Sequence, residues 1–364
     1  MSLTEPRPKT RLFGIDVVRL LSFIAISGLH FVWVIWYRDP VFSPVNSIWR
    51  GLELYSKSIS ISGHTVLFLS AFLIAMSETR VWKTMKVVLL AAFGWLLFCL
   101  FEWGQNEVFW VWDIYPLLAL GFASAVAARM ISVRLVYLLG VLGFVMTWIP
   151  FWEWSSFGNL PLQFRHWVVG DCAVDLADWP ILPWIGIIWM PYAIGTYERR
   201  RHESGARGTF ETWRKWELFA WPVLLALAIP SLGAYNKVEV GPMFACFTFR
   251  QNPFVFWSHF VFVVFALRLS LLMRVQEILE RFTVVRWIGS LRLSQAFGVA
   301  YMTHYALIEA ERYFFGSFLI TSEWISLLAL VTVLPLTEIL VRLFERGLGS
   351  VSRFRPSEPS KPSA

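Results

Sequence analysis

Six histidines occur in the chain, and four of them, His30, His64, His259 and His304, fall in or at the edge of long apolar stretches. Near neutral pH an imidazole can serve as a general base or as an acyl-accepting nucleophile. Held at related depth, three or four imidazoles would line one cavity; held singly, each would bond to a neighbouring helix. His30 stands apart because of Arg19. The two are 11 residues apart, about three turns at 3.6 residues each, so they point the same way with roughly 16 Å between them along the axis. A guanidinium fork suits phosphate, and a pantetheine arm is of similar length. A coenzyme A thioester could leave its phosphates among basic residues near Arg19 and reach His30 with its carbonyl.

The elements that must position these residues follow from composition. The chain has 364 residues, 57% hydrophobic, 17% aromatic and 16% charged, with a mean hydropathy of +0.57. Soluble domains carry about 25% charged residues. A soluble enzyme, a disordered chain and a nucleic-acid binder are therefore all poor readings, and the net charge of +7 reads as basic loops of a membrane protein. A bilayer core needs roughly 20 apolar residues per helix. About ten stretches qualify: 17–37, 59–76, 86–103, 111–130, 135–151, 180–197, 216–235, 254–275, 295–315 and 323–343. The ninth is the weakest, because Glu309, Glu311 and Arg312 lie near its end. The first 16 residues hold no leader-type apolar core, so the first stretch reads as a helix that stays in the membrane. Lys and Arg in alternate connections divide 23 on the side of the N-terminus against 7 on the other. The positive-inside rule then makes both termini cytoplasmic. The expected fold class is all-α, a polytopic integral membrane protein.

The opposite side is acidic and aromatic. The 152–179 connection carries Glu153, Asp171, Asp175 and Asp178 against Arg165, while Glu102, Glu107 and Asp113 flank the connection between the third and fourth stretches. Such a surface can face a sugar or an amine, or can be a solvated loop with interfacial tryptophans. Cys172 and Cys246 both fall in outer connections, where a disulfide is allowed. No Cys/His spacing suggests zinc or another metal. No phosphate-cradling glycine loop or G-x-S-x-G elbow occurs, and no N-x-S/T sequon, which favours a bacterial inner membrane. The basic clusters Arg80/Lys83/Lys86 and Arg199/Arg200/Arg201 are first of all topology determinants; nucleotide contact is their second reading.

Gly14-Ile15-Asp16-Val17-Val18-Arg19-Leu20, followed by a stretch holding His30, resembles the first helix of the transmembrane acyltransferase superfamily, in which Arg or Lys, ten residues and His recur in the acyltransferase-3 branch. Phe68-Leu69-Ser70-Ala71-Phe72-Leu73-Ile74 with Arg80 looks like the second span of that superfamily, with Ala71 where glycine is usual. Asp178-Trp179-Pro180-Ile181-Leu182-Pro183-Trp184-Ile185-Gly186 is similar to the entry into a middle span of the heparan-α-glucosaminide N-acetyltransferase catalytic-domain family. Asn252-Pro253-Phe254, and Gly289-Ser290-Leu291 followed by Tyr301-Met302-Thr303-His304, resemble its C-terminal pattern. The likeness runs from about residue 11 to 343. It implies acetyl-CoA or another acyl-CoA as co-substrate, with no permanently bound cofactor. The two branches nominate different reactive histidines: the acyltransferase-3 type His30, the heparan type His64.

The reading as a whole is a single acyltransferase-like transmembrane domain over 1–345 and a short, disordered cytoplasmic tail over 346–364. It would move an acyl, first of all an acetyl, group from cytoplasmic acyl-CoA to a hydroxyl or amine of a carbohydrate or glycolipid acceptor at or across the membrane. His30, His64 and Asp178 are the catalytic candidates, Glu102 a further candidate for orienting the acceptor. Arg19, Arg80, Lys83 and His304 are the candidates for the donor. Lipid is the surrounding partner, nucleic acid is not one, and a homodimer is allowed. The rival is a transporter or flippase for a small solute or lipid-linked sugar, which also wants buried His, Arg and Asp but usually shows repeat symmetry. The chain shows no convincing internal repeat.

Overall fold

The computed structural model describes residues 13–32, 61–77, 81–106, 114–149, 158–169, 180–204, 215–235, 253–295, 297–321 and 323–352. Among them the chain is helical, with no strand. The longer helices are α1 (Phe13–Val32), α2 (Ile61–Ser77), α3 (Trp82–Asn106), α4 (Ile114–Ile131) and α5 (Val133–Met146). Two short ones, α6 (Leu162–Val169) and α7 (Ile181–Trp184), precede α8 (Gly186–Glu203), α9 (Glu217–Tyr235) and α10 (Pro253–Leu271). Three more short helices, α11 (Met273–Arg281), α12 (Thr283–Ser290) and α13 (Arg292–Gln295), lead into α14 (Phe297–Thr321) and α15 (Glu323–Ser352). Each of the ten apolar stretches overlaps one of these helices. Two segments among the described residues are long and apolar enough to cross a membrane, Ile114–Ile131 and Leu327–Arg346; five more apolar helical segments are shorter.

The joints are made by single residues. Between α4 and α5, Ser132 adopts an extended conformation, and its hydroxyl accepts a hydrogen bond from Leu135 N at 3.2 Å. That satisfies one of the amides left without a partner at a helix start. Leu272, Phe282 and Leu291, all extended, separate α10 from α11, α11 from α12 and α12 from α13. The short helices therefore fold back on α1 without a long loop.

α1 is the hub. It packs against α2 and α10 and also against α11 to α15. Ile15 and Ile26 join the main core with residues of α2, α4, α8 and α10, while Leu20 and Phe23 form a second cluster with Leu293, Ala300 and Val341. Buried small residues bring the other helices close. A Cβ on Gly195 of α8 would lie 2.4 Å from the Phe72 carbonyl oxygen of α2, and one on Gly186 would lie 2.4 Å from the Gly143 oxygen of α5. Backbone cannot yield there as a flexible side chain can. A Gly195→Ala protein is therefore expected to lose about 1–3 kcal/mol, read as a lowered thermal unfolding midpoint. Gly158→Ala, where a Cβ meets nothing within 4 Å, should stay within about 0.5 kcal/mol. Equal midpoints for the two would contradict this packing.

Polar side chains inside the bundle are tied locally. Trp189 Nε1 of α8 donates to Ser124 Oγ of α4 at 2.8 Å. Ser124, Thr196, Ser270, Thr303 and Thr337 each donate to a carbonyl one turn back in their own helix. Arg199, from the cluster read as a topology determinant, is buried: its Nη1 donates to the Ala75 oxygen at 3.2 Å, near the carbonyl-rich end of α2. A cation is favourable at that end of a helix. Of the charges that weakened the ninth stretch, Arg312 Nε donates to Glu309 at 2.8 Å, while Glu311 lies 3.4 Å from the Thr332 hydroxyl of α15, whose nearer acceptor is the Ala329 oxygen at 2.7 Å.

Candidate functional site

Residues i, i+3 and i+4 share a helix face, so Tyr301, His304 and Tyr305 form one row on α14. On α1, Phe23 and His30 are two turns apart and likewise share a face. The crossing of α1 and α14 brings these rows together. His30 Nδ1 lies 2.9 Å from His304 Nε2, the two rings are parallel within 5°, and their centroids are 5.1 Å apart. The Tyr301 hydroxyl is 3.5 Å from His30 Nε2. Tyr301 and Tyr305 meet the His30 ring edge-on at 5.3 and 5.4 Å, and Phe23 meets His304 in the same way at 5.1 Å. Tyr115 of α4 stands edge-on to Tyr301 at 5.8 Å. The His304 side is sealed, at 0% exposure, whereas His30 keeps a partly open edge.

The segment that leads into α14 is held by Glu338 of α15. The two carboxylate oxygens of Glu338 accept from the backbone amides of Arg292 and Leu293 at 3.0 and 2.9 Å, and one also accepts from Arg342 Nε at 2.5 Å. Arg342 Nη2 in turn donates to the Ser290 oxygen at 3.1 Å. The Gly289-Ser290-Leu291 segment is thus fixed to α15 just ahead of α14. A carboxylate suits this place, since the first amides of a helix have no acceptor within the helix itself.

Arg19 lies on the same unbroken helix as His30, so the shared face expected from their spacing is present. It is half-buried and interacts electrostatically with Asp16, one turn earlier and itself buried. His304, a candidate for the donor, faces His30. His64 falls in the first turn of α2, His259 in α10, Lys83 and Glu102 in α3; their side chains lie outside the described residues, as do Arg80, Asp178, Cys172 and Cys246 altogether. Among the described residues no group of three or more His, Cys, Asp or Glu is placed to hold a metal ion. Sequence reasoning quoted Tyr301 as a motif letter and passed over Tyr305 and Glu338. The Tyr301/His304/Tyr305 spacing, three polar aromatics on one face of an apolar helix, was the available signal for the first two; Glu338 had none.

An imidazole pair with one ring sealed, the other partly exposed and a hydroxyl 3.5 Å from the latter can take a proton from a small nucleophile and return it. No protein family, characterised protein or solved structure matches the chain.

Proposed function

We propose that the chain is a membrane-embedded acyltransferase that carries an acyl group, first of all acetyl, from cytoplasmic acyl-CoA to a hydroxyl or amine of a carbohydrate-type acceptor. The observation that supports it is the His30–His304 pair, with Arg19 on the same face of α1 at a pantetheine's length. The membrane setting is supported by apolar faces that point outward: Leu89, Leu90, Phe93, Leu96, Leu97 and Leu100 along α3 are all 40% exposed or more. A contiguous apolar surface of that size is unfavourable in water and natural in lipid. We read the ten helices that overlap the apolar stretches as ten crossings, with both termini cytoplasmic in a bacterial inner membrane. The resemblance to the acyltransferase superfamily agrees with this reading and rests on its motifs.

In the reaction the acceptor loses its proton to His30 as its oxygen or nitrogen bonds to the thioester carbonyl carbon. The carbon–sulfur bond breaks with its electron pair on sulfur, and the thiolate recovers the proton. The donor's phosphates bind near Arg19, with Arg80 and Lys83 as further contacts, and Asp178 and Glu102 stand on the acceptor side. Incubating the purified protein with radiolabelled acetyl-CoA tests the proposal. Release of CoA, or label on the protein, that depends on His30 supports it; neither, together with uptake of a solute into vesicles, would favour the transporter.

Arg19 acts in this scheme on donor binding. Losing a charge-assisted phosphate bond costs about 1.5–3 kcal/mol. Arg19→Ala is therefore expected to raise KM for acyl-CoA roughly tenfold to a hundredfold before it weakens use of the acceptor. Unchanged donor affinity in a folded Arg19→Ala protein removes Arg19 from the site.

A further inference from the structure

The hydrogen bonds around the histidine pair have only one consistent direction. A carbonyl oxygen can accept but not donate, and His304 Nδ1 lies 3.2 Å from the Ala300 oxygen. In a neutral His304 ring, Nδ1 therefore carries the proton and Nε2 carries the lone pair. The group that faces that lone pair, at 2.9 Å, is His30 Nδ1, which must donate. His30 is then the Nδ1–H tautomer, and its free lone pair is on Nε2, the atom that the Tyr301 hydroxyl approaches at 3.5 Å.

We propose that His304 is a positioning residue that locks His30 in the Nδ1–H tautomer, so that Nε2 of His30 is the basic atom offered to the acceptor. The mechanistic part rests on the acyltransferase reading; the tautomer itself does not. His304 does for His30 what a buried carboxylate does for a catalytic histidine elsewhere: it holds the ring's orientation and decides which nitrogen is basic. A neutral ring is the cheaper choice in apolar surroundings, because a buried carboxylate would itself need a compensating charge. The Tyr301 hydroxyl stands in the place an acceptor hydroxyl would take.

The arrangement also decides the route of the proton. Ala300 cannot pass a proton on, so the line His30–His304–Ala300 is closed at its far end. A proton taken at Nε2 must leave at Nε2. The acceptor O–H bond breaks with its proton on Nε2, the acceptor oxygen bonds to the thioester carbon, and the carbon–sulfur bond breaks with its electron pair on sulfur. The sulfur then takes the proton from Nε2, which leaves ester, free thiol and neutral His30. Through the charged interval the Nδ1–H of His30 stays bonded to His304 Nε2, a hydrogen bond strengthened by the charge.

The test compares His304→Phe, which fills the space without an acceptor, with His304→Gln, whose amide oxygen can accept from Nδ1–H. Nitrogen NMR of histidine-labelled protein, assigned with a His30→Gln variant, reads the tautomer directly. His30 should be Nδ1–H in the wild type and in His304→Gln, and should shift toward Nε2–H in His304→Phe. In turnover, His304→Phe should lose roughly 10- to 100-fold in kcat with little change in KM for acyl-CoA, and His304→Gln should recover most of it. An Nδ1–H signal that persists in His304→Phe, or equal turnover of the two variants, overturns the proposal. Turnover that survives His30→Ala removes His30 from the chemistry, and a wild-type protein with no turnover at all sinks the acyltransferase reading instead; in either case the nitrogen spectrum decides the His304 claim alone.

Discussion

If the chain is the acyltransferase proposed above, a His30→Ala protein is expected to keep its fold and to lose turnover by about 100-fold to 10,000-fold, the range for a missing general base. The fold should survive because His30 is only partly enclosed and the neighbouring rings are anchored elsewhere: Phe23 in the cluster with Leu293 and Val341, and Tyr301 in the main core. Steady-state rates of CoA release, with thermal unfolding as the control for folding, check it. His64→Ala is the comparison. It should cost less if the chemistry follows the α1 histidine, and more if it follows the heparan-type branch. Small and equal losses for both would sink the histidine mechanism.

The second large effect concerns stability. Arg268, near the end of α10, is 2% exposed, and its Nε and Nη2 donate to one oxygen of Glu217, the first residue of α9, at 3.0 and 2.8 Å. Removing one partner leaves the other charge buried, at a cost of about 3–5 kcal/mol. Arg268→Met should therefore lower the unfolding midpoint far more than the double variant Arg268→Met/Glu217→Leu, which removes both charges and keeps apolar volume. A double variant as unstable as the single one would show that the contacts of the long side chains, not the ion pair, hold α9 to α10.

Local properties were legible in the residues. All ten apolar stretches overlap helices, because a run of about 20 apolar residues largely settles its own conformation, even where it carries a proline such as Pro191 or Pro335. The shared face of Arg19 and His30 was legible for the same reason: helix periodicity is a local rule, and α1 is unbroken from Phe13 to Val32. Helix ends were less secure. The stretch read as 254–275 ends in α10 at Leu271, where a single extended residue begins a chain of three short helices, the first two amphipathic and so not continuous apolar runs.

Neighbours were not legible. His30 and His304 are 274 residues apart, and only the crossing of α1 with α14 makes them a pair. In a bundle of amphipathic helices an apolar stripe would point each helix inward. Here many helices are apolar on all sides, as α3 is with its exposed leucines, so hydrophobicity does not distinguish the face that packs from the face left outside. That choice is made by close backbone approach at Gly195 and Gly186, by cross-helix bonds such as Trp189 to Ser124, and by buried charges that find a partner. Arg199 shows the difference plainly. As a sequence it is one of three consecutive arginines at the end of a helix; its place under the carbonyls of α2 exists only because α2 and α8 lie side by side. The residues by themselves determined that helices form and which groups share a face; tertiary structure decided which faces meet, because contacts between distant segments depend on the packing of the whole bundle and not on any local period.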